Sequence, residues 1–475
     1  MQGRCQELDT LFHPRSVAMV GITTTNPDHW TRGFLEGYLE FDFPSYGKLY
    51  LVNSKGGTVE GFPVYKSIGD IPDKVDFVIG LVPSRSASKL VEEAAAKGVR
   101  FIHFCTAGFS EIDEEEGKVL EAELLNTARK HNVRIIGPNC LGIYCPEARM
   151  SFSKLFPRES GPVAFISQSG GNSNYLIRQA GLRGVRFSKV VSIGNACDLN
   201  ESDFLEYLAD DPKTEFIMMY IEGIKNGRRF FQALKYAAER KVVVLLKGGA
   251  TPAGARAVMG HTASLAGNND IWNSICRQFG VIQVENLDIL VDVIVTLTLM
   301  PAFEGRRVLL FGAGGGASVL IADEFERRGM ILPQMPKQVI EELRAFSQAA
   351  GNFFSNPVDY SQSMDTAKVT RALDILMRWG EFDFLVYFIV PTQSTKERDF
   401  TGGVASFDKE SKPVAIVIRT SVIPEEAEKI YQYILRYVDG GYPVYFSFDS
   451  VAHAIDLVSR HYEKRSLRKT MRQVI

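Results

Sequence analysis

His261 lies in the segment GARAVMGHTASLAG, residues 254–267, among glycines and small side chains rather than on an amphipathic helix face. A loop of this composition can approach another surface closely, and a neutral imidazole nitrogen can attack phosphorus and carry a phosphoryl group. Thr262 and Ser264 are weaker nucleophiles beside it. A lone histidine is more often structural, so the reading depends on what accompanies it. Glu222, in YIEG, falls where a strand should end, at the edge of an open α/β sheet where ligands bind. From there its carboxylate could orient the imidazole by a hydrogen bond; the alternative is a glutamate that faces solvent.

Two glycine-rich segments could handle phosphate. Ser167, Gln168, Ser169, Gly170 and Gly171 occur in VAFISQSGGNSNYL, and Gly314, Gly315 and Gly316 in VLLFGAGGGASVLI. Each reads as a strand entering a helix, which exposes backbone N–H groups at the positive end of a helix dipole. The competing reading is that each run only lets helix and sheet pack tightly. The two belong to an internal duplication, because NACDLNESDFLEYL has a counterpart in NPVDYSQSMDTAKVTRALDIL and EFIMMYIEG in FDFLVYFIVP. The second copy has Val390 where the first has Glu222, which gives the carboxylate a task that the copies do not share.

These residues need a scaffold, and its pattern is legible. Short apolar β-branched runs (Ser16 to Val20, Lys48 to Val52, Phe77 to Val82, Phe101 to Phe104, Arg134 to Ile136) alternate with helical stretches such as Ala87 to Gly98 and Glu115 to His131. That alternation predicts an α/β protein with parallel sheets covered on both faces by helices. A chain of 475 residues exceeds one core, and three domains are expected, over 1–158, 159–301 and 302–465. Residues Pro157 to Pro162 read as a linker, and 466–475 as a solvated basic tail.

Composition excludes several classes. With 45% hydrophobic residues, 23% charged residues and a net charge of -2, the chain is globular and carries no basic field for nucleic acid. Six cysteines without CxxC pairs fit neither a disulfide scaffold nor a zinc site and suit a reducing cytoplasm; no metal site is expected. The opening residues lack a signal-peptide pattern, and no apolar run suggests a membrane span. No GxGxxG follows the first strand, which disfavours a nicotinamide-dependent dehydrogenase, and no P-loop is present.

SQSGG, YIEG and GHTASLAG, in this order behind an N-terminal nucleotide-type domain, resemble the α subunit of ADP-forming acetyl-CoA synthetases, with succinyl-CoA synthetase a more distant relative. The resemblance covers nearly the whole chain. It implies a Rossmann-like CoA-binding domain followed by two flavodoxin-like doubly wound domains, with His261 phosphorylated, Glu222 supporting it, and both glycine turns holding phosphate. CoA would meet Gly21, Thr23, Thr24 and Thr25 after the first strand, where the threonine run departs from the family's smaller residues. Asn53 and Lys55 of LVNSKGG stand in place of a family PVNPK, with the lysine facing the 3′-phosphate of CoA. Val82, Pro83 and Ser84, Gly108 of TAGF and Asn139 of GPNCLG match further strand-end turns. The implied reaction converts acyl-CoA, phosphate and ADP to carboxylic acid, CoA and ATP through an acyl phosphate and a phosphohistidine. Nothing here resembles an ATP-grasp domain, so ADP/ATP and Mg would belong to a β subunit in an α2β2 assembly. The alternative is a catalytically inactive CoA-binding regulatory or scaffold protein.

Overall fold

Runs such as SVAMV and VVVLLK bury every residue, as strands covered on both faces must. The computed structural model describes residues 2–112, 114–262, 268–312, 314–347, 352–360, 365–389, 404, 407, 409 and 411–474, with side chains over the same residues except 2–6, 259–262 and 468–474. They form two units, Met1–Gly181 with Arg186–Leu287, and Leu182–Val185 with Asp288–Ile475.

The first unit holds two sheets. Across the first, the order is Gly57–Val59, Phe62–Tyr65, Lys48–Val52, Ser16–Val20, Phe77–Gly80, Phe101–Phe104, Arg134–Ile136. Apart from the antiparallel hairpin strand Gly57–Val59, the strands are parallel and follow the Rossmann order 3-2-1-4-5-6. The chain reverses direction about Ser16–Val20, which opens a crevice at the ends of that strand and its two neighbours. Five parallel strands of the second sheet run Phe187–Ser192, Ser160–Ser167, Phe216–Ile221, Val242–Lys247, Ile282–Val284 across, the flavodoxin order 2-1-3-4-5. A sixth strand, Gly142–Tyr144, pairs antiparallel with Phe187–Ser192. It comes from the stretch read as the first domain, so the two expected domains share a sheet edge. The Ser160 to Pro162 part of the expected linker begins the strand Ser160–Ser167. Proline is tolerated near a strand's start, where a missing N–H leaves little of the ladder unmade.

The second unit repeats the plan. Val358–Asp359, Val308–Gly312, Phe384–Ile389, Val414–Ile418 and Val444–Tyr445 again give 2-1-3-4-5, with Phe353–Phe354 antiparallel at the edge. The duplicated turns before helices are cap sites in both copies: the Asn200 side chain accepts from Ser202 N–H, and that of Asp365 from Lys368 N–H. Residues 466–474, read as a solvated tail, continue the helix Phe448–Val474. Leu, Arg, Lys, Met and Gln are good helix formers and no glycine or proline interrupts them. Among the described residues no helix is long and apolar enough to cross a membrane.

Candidate active site

The second sheet reverses between Ser160–Ser167 and its neighbours, and its strand ends gather Glu222 and the first of the two expected phosphate turns, Ser167 to Gly171. Glu222 follows Phe216–Ile221 directly and is 3% exposed, which rules out the solvent-facing alternative. Three of its atoms are held. Its N–H donates to Gln168 Oε1 at 2.5 Å, its carbonyl accepts from Lys247 Nζ at 2.8 Å, and its Oε1 accepts from Tyr220 Oη at 2.9 Å. Gln168 also accepts from Gly223 N–H at 3.1 Å and donates to Gly223 O at 2.8 Å. Its side chain thus ties two strand ends together. Leaving one such buried group unpaired costs about 1–3 kcal/mol.

Ser167 closes the turn by donating from Oγ to Ser169 O at 2.8 Å and accepting from Ser169 N–H at 3.2 Å. Helix Gly170–Leu182 starts at once, so Gly170 and Gly171 present its first N–H groups. Lys247, which the sequence reading missed, ends strand Val242–Lys247 beside Glu222 and is 5% exposed. Burial draws its ammonium down to about 8, against the Glu222 carboxylate, which favours the charged form. The available signal was a cation closing an apolar strand before two glycines, in LLKGGA.

His261 lies on helix Pro252–Thr262 and not in the expected loop. Proline at the first position and the alanines that follow favour helix, and Gly254 and Gly260 do not outweigh them. The side chains of His261 and Thr262, and all of Ser264, lie outside the described residues. The helix runs beside the turn Ser110–Ile112. There Glu111 Oε1 accepts from Gly108 N–H at 2.5 Å and Phe109 N–H at 3.1 Å. Asn195 Nδ2 donates to Glu111 Oε2 at 2.5 Å and Glu121 Oε2 at 2.8 Å, while its Oδ1 accepts from Asn139 Nδ2 at 3.4 Å. The first sheet's TAGF and GPNCLG turns are thereby joined to the end of the second. Glu111, Glu121 and Asn195 carry no signal in the sequence: Glu121 is one acid among several on the helix Glu115–His131, and an acid in a short turn or an amide in a loop has no periodic mark.

Around the first sheet's crevice, Gly21 has φ +98° and its added Cβ would lie 2.6 Å from Leu81 O, so only glycine fits. The loop after it is more self-contained than its sequence suggests. Thr23 N–H donates to Thr31 Oγ1 at 3.3 Å, and no helix begins between Val20 and Arg32, so helix-terminal N–H groups do not follow the first strand directly. Thr24 is half-buried and Thr25 exposed. Asn53 is a clamp, donating from Nδ2 to Ile22 O at 2.9 Å and accepting at Oδ1 from Lys55 N–H at 2.9 Å, while the Lys55 side chain is exposed. Val82 O accepts from Thr106 Oγ1 at 2.5 Å, Pro83 is exposed, and an added Cβ on Gly108 would lie 3.1 Å from Ser84 Oγ. Behind them His103 Nε2–H donates to Cys140 O at 3.0 Å, and burial draws this imidazole down to about 4.

In the second unit, helix Gly315–Arg327 begins after Gly314, whose N–H donates to Asp359 Oδ1 at 2.9 Å. The buried Asp359 carboxylate therefore takes the first N–H of the turn through Gly314, Gly315 and Gly316. Val390, the counterpart of Glu222, lies outside the described residues. Among the described residues no group of three or more His, Cys, Asp or Glu is placed to hold a metal.

Known proteins share this arrangement of domains. Residues 160–297 match the succinyl-CoA ligase like flavodoxin domain and residues 15–146 the CoA binding domain. The α subunit of Pyrococcus furiosus acetate–CoA ligase (ADP-forming) II is 34% identical, covering 94% of this chain and 96% of its own. The Archaeoglobus fulgidus acetate–CoA ligase (ADP-forming) I is 34% identical over 98% of this chain but only 65% of its own length. Among solved structures, an acetyl-coenzyme A synthetase 1 of Ca. Korarchaeum cryptofilum, in complex with phosphate and ADP, superposes with a TM-score of 0.82 at 29% identity, covering 98% of this chain and 99% of its own. Likeness of this extent, over both sheets of the first unit and through the second, makes the chain a member of the α-subunit family of ADP-forming acetate–CoA ligases, a family of acid–thiol ligases.

Proposed function

We propose that this chain catalyses the acyl-transfer half of an NDP-forming acyl-CoA synthetase through a phosphohistidine at His261. The observation that carries the proposal is Glu222, a carboxylate buried at the second sheet's switch point with its backbone and Oε1 fixed by Gln168, Lys247 and Tyr220. Such a group supports a neighbouring imidazole far better than an exposed one, because it does not reorganise as charge develops.

An oxygen of inorganic phosphate attacks the thioester carbonyl, the C–S bond breaks, and the thiolate of CoA leaves and takes up a proton. The acyl phosphate passes its phosphoryl group to a His261 nitrogen as the P–O bond to the carboxylate breaks. N–H groups at Gly170 and Gly171 suit the phosphoryl oxygens, and Glu222 suits the imidazolium that forms. An oxygen of the ADP β-phosphate then attacks phosphorus, and the N–P bond breaks to give ATP. Lys55, the strand-end turns and Asn139 form the proposed CoA face. The second glycine turn at Gly314 is a weaker phosphate candidate than the first, because Asp359 already occupies one N–H.

We assign the nucleotide step, with its Mg, to an ATP-grasp β subunit in an α2β2 complex. The α-subunit names of two relatives, and the third of the Archaeoglobus fulgidus relative that this chain does not match, support a separate nucleotide-handling part. Among the cysteines whose side chains are described, all five are free thiols, which supports a reducing cytoplasm. The test is the native complex, isolated through a tag on this chain and given acetyl-CoA, then longer CoA thioesters, with labelled phosphate. The chain is expected to gain an acid-labile, base-stable phosphoryl group that ADP removes, and His261→Ala to gain none. Labelling of His261→Ala at the wild-type rate refutes the mechanism.

A further inference from the structure

Lys247 poses a problem that the proposed chemistry does not solve. Its side chain is 5% exposed, yet its hydrogen bonds run to carbonyls, at Glu222 O (2.8 Å) and Gly248 O, and the Trp272 ring centroid lies 5.6 Å from its Nζ. Burying an ammonium is expensive, and a well-packed apolar side chain of similar volume is often as stable or more so. Stability is therefore a poor reason for a cation here.

The two carbonyls point to a better one. Glu222 belongs to the turn that presents the buried carboxylate. Gly248 begins the connection from strand Val242–Lys247 to helix Pro252–Thr262, which bears His261. One ammonium thus grips both turns. The same seam is closed by Gly248 N–H donating to Ile221 O at 2.9 Å, and by the lack of a side chain at Gly248, whose Cβ would lie 2.9 Å from Tyr220 Oη and 3.2 Å from Glu222 Cγ.

We propose that Lys247 is a positioning residue, which sets the Glu222 carboxylate against the start of the helix carrying His261. It touches no reacting atom. The inference rests on the phosphohistidine reading, since without it the distance between these turns has no chemical task.

Single-turnover labelling of the native complex with acetyl-CoA and labelled phosphate tests it on Lys247→Met and Lys247→Ala. Loss of a supporting partner or displacement of a catalytic group by about 1 Å typically costs roughly 10- to 100-fold in rate. Lys247→Met is expected to label more slowly by that factor, with half-saturating acetyl-CoA and phosphate changed less than about twofold and the thermal midpoint held. In Lys247→Ala, n-propylamine replaces the missing atoms and is expected to restore part of the rate. Wild-type rates in Lys247→Met, or a loss matched by lost folded protein and not restored by the amine, overturn the positioning role alone. No label on the wild-type complex overturns the phosphohistidine reading, and the role of Lys247 with it.

Discussion

Replacing His103 by glutamine should flatten the acid limb of this protein's stability. His103 is 1% exposed, its Nε2–H holds Cys140 O in the GPNCLG turn, and burial lowers it to about 4 from an ordinary 6.5. The unfolded chain therefore binds the proton more readily than the folded one between those values. Stability from this residue is fully present above pH 6.5 and is lost as pH falls toward 4. The gap is worth about 3 kcal/mol in all, of which about 2.5 kcal/mol falls between pH 7.5 and 4.5. Glutamine can still donate to Cys140 O but does not titrate. Urea unfolding of both proteins at the two pH values should show the wild type losing about 2.5 kcal/mol more than His103→Gln. Histidine-labelled NMR should find one imidazole titrating near pH 4. Parallel losses in the two proteins, or a His103 resonance that titrates near 6.5, would refute the burial argument.

If the exposed Lys55 ammonium meets the 3′-phosphate of CoA as proposed, Lys55→Ala should weaken CoA by roughly tenfold and leave dephospho-CoA unchanged, through loss of that charge-assisted contact. Calorimetry on the whole chain decides it, and equal losses for both ligands would remove that role. In the second unit, Arg183 NH1 lies 2.6 Å from Asp292 Oδ1 with both side chains 6% exposed. Arg183→Met alone should cost about 3–5 kcal/mol by stranding a buried carboxylate, whereas Arg183→Met with Asp292→Leu should cost less than that single change, as read from the unit's urea midpoint.

The sequence by itself determined the alternation of strands and helices, because full burial of strands and the 3.6-residue period of helices are written in local runs. It also determined the duplication and the family, since SQSGG, YIEG and GHTASLAG are contiguous motifs in a fixed order. Tertiary structure decided what those residues touch. Glu222 is buried because Gln168, 54 positions earlier, reaches across the sheet to its N–H. Gly142–Tyr144 changes sheets because its partner Phe187–Ser192 arrives more than 40 residues later. Asn53 reaches across to Ile22 O and Thr23 N–H bonds within its own loop, and Lys247 stood out only once two strand ends met at its ammonium. Local composition specifies periods and turns over a few residues; which strand ends lie side by side is set by sheet order, and the site is made of those ends.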